Sequence, residues 1–288
     1  MAPAVLPPPV TENRISDQEF QAIRRLVYRQ FGINLTEQKK TLVVGRLQKV
    51  LKKRGFDTFR DYIDWLSASM SAEALEELAN NISTNHTFFY REKAHFEYFS
   101  QKILPELTAQ KDRSGDRVLR IWCAGCSSGE EPYTLMMLML EHLGPKLSRW
   151  KPRLLATDLS AQILKTAMSG VYEEDRVAEL PAVLRNKYFR KTPDGELSVA
   201  DEIRSRIDFR RHNLMDPKFP FTKPFDAIFC RNVMIYFDRE TRNTLVAKYH
   251  QHMAPGGHLF IGHSESLGRG ETEFQYVMPA VYRRTPLA

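Results

Sequence analysis

Apolar and polar positions along the chain fall first into helical spacing and later into short apolar runs. Ser16-Asp17-Gln18-Glu19 has the spacing of a capping box. It opens a predicted helix through Phe20, Ile23, Leu26, Val27 and Phe31, which Gly32 can end. A second helix is predicted from Glu37 to Arg54, with Gly55 as its stop and Val43, Val44, Leu47, Val50 and Leu51 as its apolar face. Two more follow at Phe59–Ser69 and Ala72–Ile82. Asn81–Glu92, N-I-S-T-N-H-T-F-F-Y-R-E, then reads as a loop leading into a helix from Glu92 to Ala109, before the polar turn Asp112–Asp116.

Beyond that turn the pattern changes. Val118–Trp122 is short, apolar and β-branched, as a buried strand should be. Gly125 and Gly129 permit a tight turn and a close approach of backbone to a ligand, and Pro132 sits in the first turn of the apolar helix Tyr133–Leu143. Leu154-Leu155-Ala156 is a second strand ending in Thr157-Asp158, and Ser160 can cap the next helix, to Ser169. From Tyr172 to Arg211 the periodicity weakens. Short helical pieces at Asp175–Glu179 and Pro181–Asn186 and a hairpin, Tyr188–Arg190 with Glu196–Val199, read as an insertion. Strands return at Ile207–Arg210, Phe225–Phe229 and His258–Ile261. A helix over Arg239–Met253 should stop at Pro255-Gly256-Gly257, and a hairpin ends the chain.

This order predicts a Pro-rich disordered tail over 1–14, a helical domain over 15–110 and an α/β domain over 111–288, with 172–211 inserted in it. Strands alternating with helices, closed by an antiparallel end, fit a doubly wound sheet. Ligands of such sheets sit beyond the C-terminal strand ends, where the polar clusters 125–131, 158, 213 and 230–232 fall.

Composition narrows the class. No apolar run is long enough to cross a bilayer, and the N-terminus has neither the basic start nor the apolar core of a signal peptide. Three cysteines argue against a disulfide framework and for the cytosol. The formal charge is +7, and its distribution is uneven. Arg14–Arg60 carries 12 basic and 4 acidic residues, whereas Asp61–Glu106 carries 3 basic and 8 acidic. Lys39–Arg54 holds seven basic residues and no acid, with Arg46, Lys49, Lys52 and Lys53 opposite the apolar face. That face is either simply solvated or a docking surface for an acidic partner.

Strand, glycine loop and helix open a nucleotide-type site, yet G-x-x-x-G replaces the dinucleotide fingerprint. Glu130 and Glu131 at the helix start would repel a pyrophosphate. A phosphate-free adenosine ligand with its own positive charge fits better, and S-adenosylmethionine is one. Asp158, 29 positions after Gly129, is placed to take ribose hydroxyls. Cys123-Ala-Gly-Cys126 superficially matches a redox dithiol, but the helix does not start at its first cysteine; small buried residues are the better account. No histidine follows Gly262-His263-Ser264-Glu265-Ser266 as a hydrolase elbow requires, and no metal-ligand spacing is found.

Five motifs in one order now carry a resemblance: N-I-S-T-N-H-T-F-F-Y-R-E, A-G-C-S-S-G-E-E-P-Y, A-T-D-L-S, C-R-N-V-M-I-Y-F and G-G-H-L-F-I-G-H-S-E-S. The chain resembles the chemoreceptor glutamate methyltransferases, the CheR family, over nearly its whole length. The resemblance implies an all-α N-terminal domain that docks receptor. It also implies a Rossmann-like class I methyltransferase domain with a small β-subdomain, and methyl transfer from S-adenosylmethionine to receptor glutamates, leaving S-adenosylhomocysteine. Matched by position, the cofactor contacts fall on Asn85, Thr87, Arg91, Gly125, Glu130, Asp158, Asn213, Leu214, Arg231 and Asn232, and Arg91 and Tyr236 lie nearest the chemistry. The implied partner is the cytoplasmic helical bundle of a chemoreceptor, met by a monomer that binds no nucleic acid and inserts in no membrane. Relatives that grip a receptor's C-terminal peptide have a longer, Gly-richer loop than Arg190–Gly195, so dependence on such a peptide is not expected. Two rivals stand beside this. An RNA methyltransferase would explain the basic charge but lacks the N/D-P-P-Y motif, and a non-catalytic scaffold would need the basic helix alone.

Overall fold

The structure, a computed structural model, describes residues 15–268, 270 and 272–285; the expected tail over 1–14 lies outside them. The chain divides into two compact units, Met1–Ile82 and Ser83–Ala288.

The first unit is four helices: α1 (Asp17–Phe31), α2 (Lys40–Arg54), α3 (Phe59–Ser69) and α4 (Ala72–Ile82). The Ser16–Glu19 capping box forms in both directions, and Gly32 and Gly55 end α1 and α2 in the left-handed conformation. Phe20, Ile23, Val27, Leu47, Leu51, Tyr62, Leu66 and Leu78 are buried. Residues 37–39 form a 3₁₀ turn ahead of α2, and Val44, expected on the apolar face, is only half-buried.

The second unit begins 28 residues before the expected boundary at 111, the distance from 83. The reason is packing. Phe89, Phe96, Phe99, Ile103, Leu104 and Leu107 share one core with Leu119, Ile121 and Tyr133. The helix carrying most of them is longer than expected. It runs as α5 (Lys93–Tyr98), a π turn at Phe99–Ile103 and α6 (Leu104–Ser114).

The remaining elements are β1 (Val118–Ala124), α7 (Glu130–Leu143), β2 (Lys151–Asp158), α8 (Ala161–Ser169), β3 (Val171–Tyr172), α9 (Ala182–Tyr188), β4 (Phe189–Lys191), β5 (Leu197–Val199) and α10 (Asp201–Arg204). They end with β6 (Ile207–Arg211), β7 (Phe225–Cys230), α11 (Arg239–His252), β8 (Met253–Ile261), β9 (Phe274–Met278) and β10 (Val281–Arg284). Seven strands make one sheet in the order β6-β2-β1-β7-β8-β10-β9. The first five are parallel, and β10 is antiparallel to both its neighbours. The strand order reverses between β1 and β7, and such a switch point opens a ligand crevice.

Three details depart from the sequence expectation. The inserted subdomain is a three-stranded sheet, β3-β5-β4, not a hairpin alone. It stops short of β6, which is an edge strand of the main sheet. Pro255-Gly256-Gly257 does not end α11. The helix stops at His252, and the three residues lie inside β8 beside a register shift against β7. A Cβ on Gly257 would meet the Asp226 carbonyl at 2.9 Å, so close strand packing explains that glycine better than a turn.

Candidate functional site

The C-terminal ends of β1, β2, β6, β7 and β8 meet in one region, and the loops after them are tied together by hydrogen bonds. In the glycine loop, the N–H groups of Gly125 and Cys126 both donate to Thr157 O, at 2.8 and 2.9 Å, and Gly129 N donates to Cys126 O. Ser127 N donates to Asp158 Oδ2 at 2.9 Å. Four N–H groups that a pyrophosphate would need are thus spent inside the protein, so the loop is not a phosphate cradle. Gly125 has φ +94°, and a Cβ there would lie 2.4 Å from Val233 Cγ2. Its missing side chain therefore admits the loop after β7, where the sequence suggested a ligand. Gly129, φ +101°, lets Tyr172 and Ala167 approach in the same way.

Asp158 ends β2 and is buried. Its Oδ1 accepts from Ser160 N at 3.0 Å and its Oδ2 from Ser127 N. Burial raises its pKa against the pull of those N–H donors. A carboxylate offers about four acceptor sites, more than its backbone donors fill, so it can still accept from a ribose hydroxyl.

The two glutamates at the start of α7 are both compensated. Glu130, with no exposed surface, accepts from Ser128 Oγ at 2.7 Å and forms an ion pair with Arg176 of the inserted subdomain. Glu131 pairs with Arg231 at 2.6 Å and accepts from Cys123 Sγ at 3.0 Å. Arg231, expected to touch the cofactor, is buried and committed to protein. It also bonds Glu92 at 3.1 Å and the Arg91 carbonyl, and lies over the Phe96 ring at 5.0 Å.

Around that lattice the backbone is strained. Glu92, Ser127 and Asn232 have φ of 58°, 49° and 60°, a region non-glycine residues rarely adopt and that clusters at functional sites. Each is over-determined by hydrogen bonds. Glu92 accepts from Asn232 Nδ2 and from His263 N, both at 3.2 Å. Burial would raise its pKa, but Arg231 foremost reverses this and holds it below the usual range. Glu265 accepts from the N–H groups of Asn232 and Ile235, at 3.0 Å each, and from Gly262 N. It thereby fixes the loop that carries Asn232 and Tyr236. The sequence reading missed Glu92, Arg176 and Glu265. The partners just named for the first two are 46 to 171 positions away, and those of the third, Gly262 apart, are 30 and 33 away, so spacing could not reveal them.

The other expected residues fall as follows. Asn85 O accepts from Ser127 Oγ at 3.2 Å, and Thr87 O accepts from Arg176 at 3.4 Å, so this segment lies against the glycine loop and the subdomain. Arg91 is half-buried, donates to His86 O at 2.8 Å and lies over Phe88. Tyr236 is half-buried in the 3₁₀ turn Met234–Tyr236. Asn213 Oδ1 accepts from Met215 N at 3.1 Å, and Leu214 packs in the core beside Trp122. All three cysteines are free and buried, and burial pushes their thiols well above the ordinary value, the setting of an inert structural cysteine.

Glu92, His95 and His263 bring possible ligand atoms within 4.8 Å of one another. Glu92 is already neutralised by Arg231, and a dication beside that guanidinium would be repelled. The cluster belongs to the lattice.

On the helical unit, Lys49 and Lys52 of α2 are exposed. Lys53 lies 3.5 Å from Glu77. Arg46 differs from them: its guanidinium donates to the Asn81 and Ile82 carbonyls and so caps α4. Of the four basic residues expected to dock a partner, Arg46 has a structural task.

Known proteins match this layout. The family model for the CheR methyltransferase all-alpha domain matches residues 18–83, and that for the CheR methyltransferase SAM binding domain matches residues 85–282. The chain is 45% identical over 270 residues to the chemotaxis protein methyltransferase of Borreliella burgdorferi, covering 94% of this chain and 95% of that one. It is 36% identical to a probable chemotaxis protein methyltransferase of Rhizobium etli, covering 90% and 97%, and 34% identical to the chemotaxis protein methyltransferase of Escherichia coli K12, covering 93% and 91%. One buried acid at the end of β2, another at the start of α7 and a loop without free phosphate donors suit the phosphate-free, cationic cofactor that this family binds. The chain belongs to the CheR methyltransferase family, and residues 85–282 are its S-adenosylmethionine-binding domain.

Proposed function

We propose that the protein transfers the methyl group of S-adenosylmethionine to glutamate side chains on the cytoplasmic helices of a chemoreceptor, giving methyl esters. The observation that carries this reading is the pair of buried acids Asp158, at the end of β2, and Glu130, at the start of α7. Asp158 keeps acceptors for ribose hydroxyls, and Glu130 offers a buried carboxylate to an ammonium group. Bound there, the cofactor supplies an electrophilic methyl.

A glutamate carboxylate, with an ordinary pKa near ~4.3, is an anion at neutral pH and needs no general base. The protein's task is to align the attacking oxygen and to remove its water. Arg91 and Tyr236 are assigned to orienting the carboxylate and cofactor without taking a proton. Glu92, Glu131, Arg231 and Glu265 hold the walls, because their charges are already paired or bonded to backbone. Asn85, Thr87, Asn213, Leu214 and Asn232 complete the cofactor contacts.

Receptor recognition is assigned to Lys49, Lys52 and Lys53 on α2. The turn between β4 and β5 is compact: Gly195 N donates to Thr192 O at 3.0 Å and Thr192 N to Glu196 O at 2.9 Å. A turn this short suits independence from a receptor's C-terminal peptide, and calorimetry with tail peptides should detect no micromolar binding. No helix among the described residues is long and apolar enough to cross a membrane.

The decisive experiment incubates methyl-labelled S-adenosylmethionine with receptor-bearing membranes and, separately, with RNA. Label should appear in receptor and leave it as methanol in alkali. Alkali-stable label, or label in RNA alone, would overturn the reading.

A further inference from the structure

Arg176 stands in the stretch Glu174–Val177, directly after β3, and is held there by its neighbours. Val177 is fully buried, and Tyr172 Oη donates to Ser128 O at 2.6 Å. From this position one terminal nitrogen, Nη2, reaches Glu130 Oε1, Ser128 Oγ at 3.2 Å and Thr87 O at 3.4 Å. The guanidinium thus joins the inserted subdomain, the glycine loop and the Asn85–Thr87 segment. Its other donors, on Nη1 and Nε, meet no acceptor among the described residues, and the side chain is 41% exposed. Glu130 is the opposite case: it has no exposed surface, and each oxygen already has a partner.

We infer that Arg176 is a cofactor-binding residue, and that the Glu130–Arg176 ion pair recognises the amino-acid end of S-adenosylmethionine as a zwitterion, ammonium to Glu130 and carboxylate to Arg176. This rests on the reading that Glu130 belongs to the cofactor site. Three points carry it. Glu130 has no exposed surface, so an ammonium reaches it only where a group that covers it moves aside, and Arg176 is the charged one. Exchanging one cation for another keeps that carboxylate compensated throughout, whereas leaving it bare would be costly. The displaced guanidinium has unused donors in the fork geometry that suits a carboxylate. An ion pair is the complement of a zwitterion, and its two halves come here from α7 and from the inserted subdomain. The subdomain then contributes to cofactor affinity, beyond any part it has in substrate contact.

Calorimetry on the full chain tests this with three probes. S-adenosylhomocysteine carries the zwitterion, decarboxylated S-adenosylmethionine keeps the ammonium alone, and 5′-methylthioadenosine has neither. Arg176→Gln should weaken S-adenosylhomocysteine roughly 10- to 100-fold, the loss expected for a charge-assisted hydrogen-bonded pair. It should leave methylthioadenosine unchanged and not weaken the decarboxylated probe, and Arg176→Lys should restore part of the loss. Unchanged or tighter S-adenosylhomocysteine binding by Arg176→Gln would sink the inference, since Arg176 would then only compete for Glu130. Equal weakening of methylthioadenosine would also sink it, by marking a structural role. If Glu130→Gln binds S-adenosylhomocysteine as the unaltered protein does, the Glu130 assignment fails first, a separable result.

Discussion

Lys49 and Lys52 stand exposed on α2 of the helical unit, while Arg231 in the α/β unit is buried between Glu92 and Glu131. Both units are rich in charge, yet they use it differently. Exposed charges are screened by salt and cost little to change, which suits steering a partner. Buried charges are expensive to separate, which suits holding a reactive geometry. The histidines divide in the same way: all eight lie beyond residue 82, and none is in the helical unit.

The largest test of this contrast is Arg231→Met set against Lys53→Ala. Removing Arg231 leaves Glu92 and Glu131 without their cation in a buried site, and losing one partner of a buried pair costs about 3–5 kcal/mol. For a unit of this size that lowers the melting temperature on the order of 10 °C. The Lys53–Glu77 pair is a contact at 3.5 Å with the lysine 77% exposed, so its removal should cost no more than about 0.5 kcal/mol. Thermal melts of the two variants decide it. Equal losses would mean that burial does not separate the two kinds of charge.

Acid should sharpen the same difference. Burial, with Arg231 second for His95, lowers the pKa of His95 and His258 from 6.5 to about 4. The unfolded chain takes up these protons near 6.5 and the folded chain only near 4. Stability is therefore full above that range and is lost as pH falls through it, approaching about 3 kcal/mol for each histidine. Asp158, Asp226 and Glu265, whose pKa values burial raises, oppose this at the acid end, so the upper half of the range is the place to look. Hydrogen exchange read by segment at the two ends of that upper half should show protection falling in the α/β unit and holding in the helical unit. A uniform fall would break the comparison.

The helical unit was largely legible in the chain, and the site was legible only in outline. Helices α1 to α4 are local products of capping and period, and Ser16, Gly32 and Gly55 mark both ends of α1 and the end of α2. Asp158 could be read as well, because a strand end announces it. Phe89, Phe96 and Phe99 gave no sign of which unit they would join, since only the assembled core decides that. Nor could Glu131 reveal that its charge would be answered by Arg231, 100 positions later, or Glu130 that Arg176 would do the same. The glutamates did point to a phosphate-free ligand. The stronger physical ground proved to be the loop's own N–H groups, already spent on Thr157, Asp158 and Cys126.

The smallest expected effect concerns the exposed face itself. Lys49→Glu with Lys52→Glu leaves the helical core untouched, because Val43, Leu47, Val50 and Leu51 point the other way and are buried. Stability should stay within about 0.5 kcal/mol, as for surface substitutions generally. Reversing two surface charges should raise the KM for receptor by roughly 3- to 10-fold at low salt, with the gap closing as ionic strength rises. S-adenosylhomocysteine affinity should not move, since those charges lie in a different unit from the cofactor domain. Kinetics at two salt concentrations, paired with calorimetry, separate the outcomes. A receptor KM equal to that of the unaltered protein at low salt would show that α2 is merely solvated. A matching loss of cofactor affinity would show that charge on the helical unit reaches the buried site, which the division of labour between exposed and buried charge forbids.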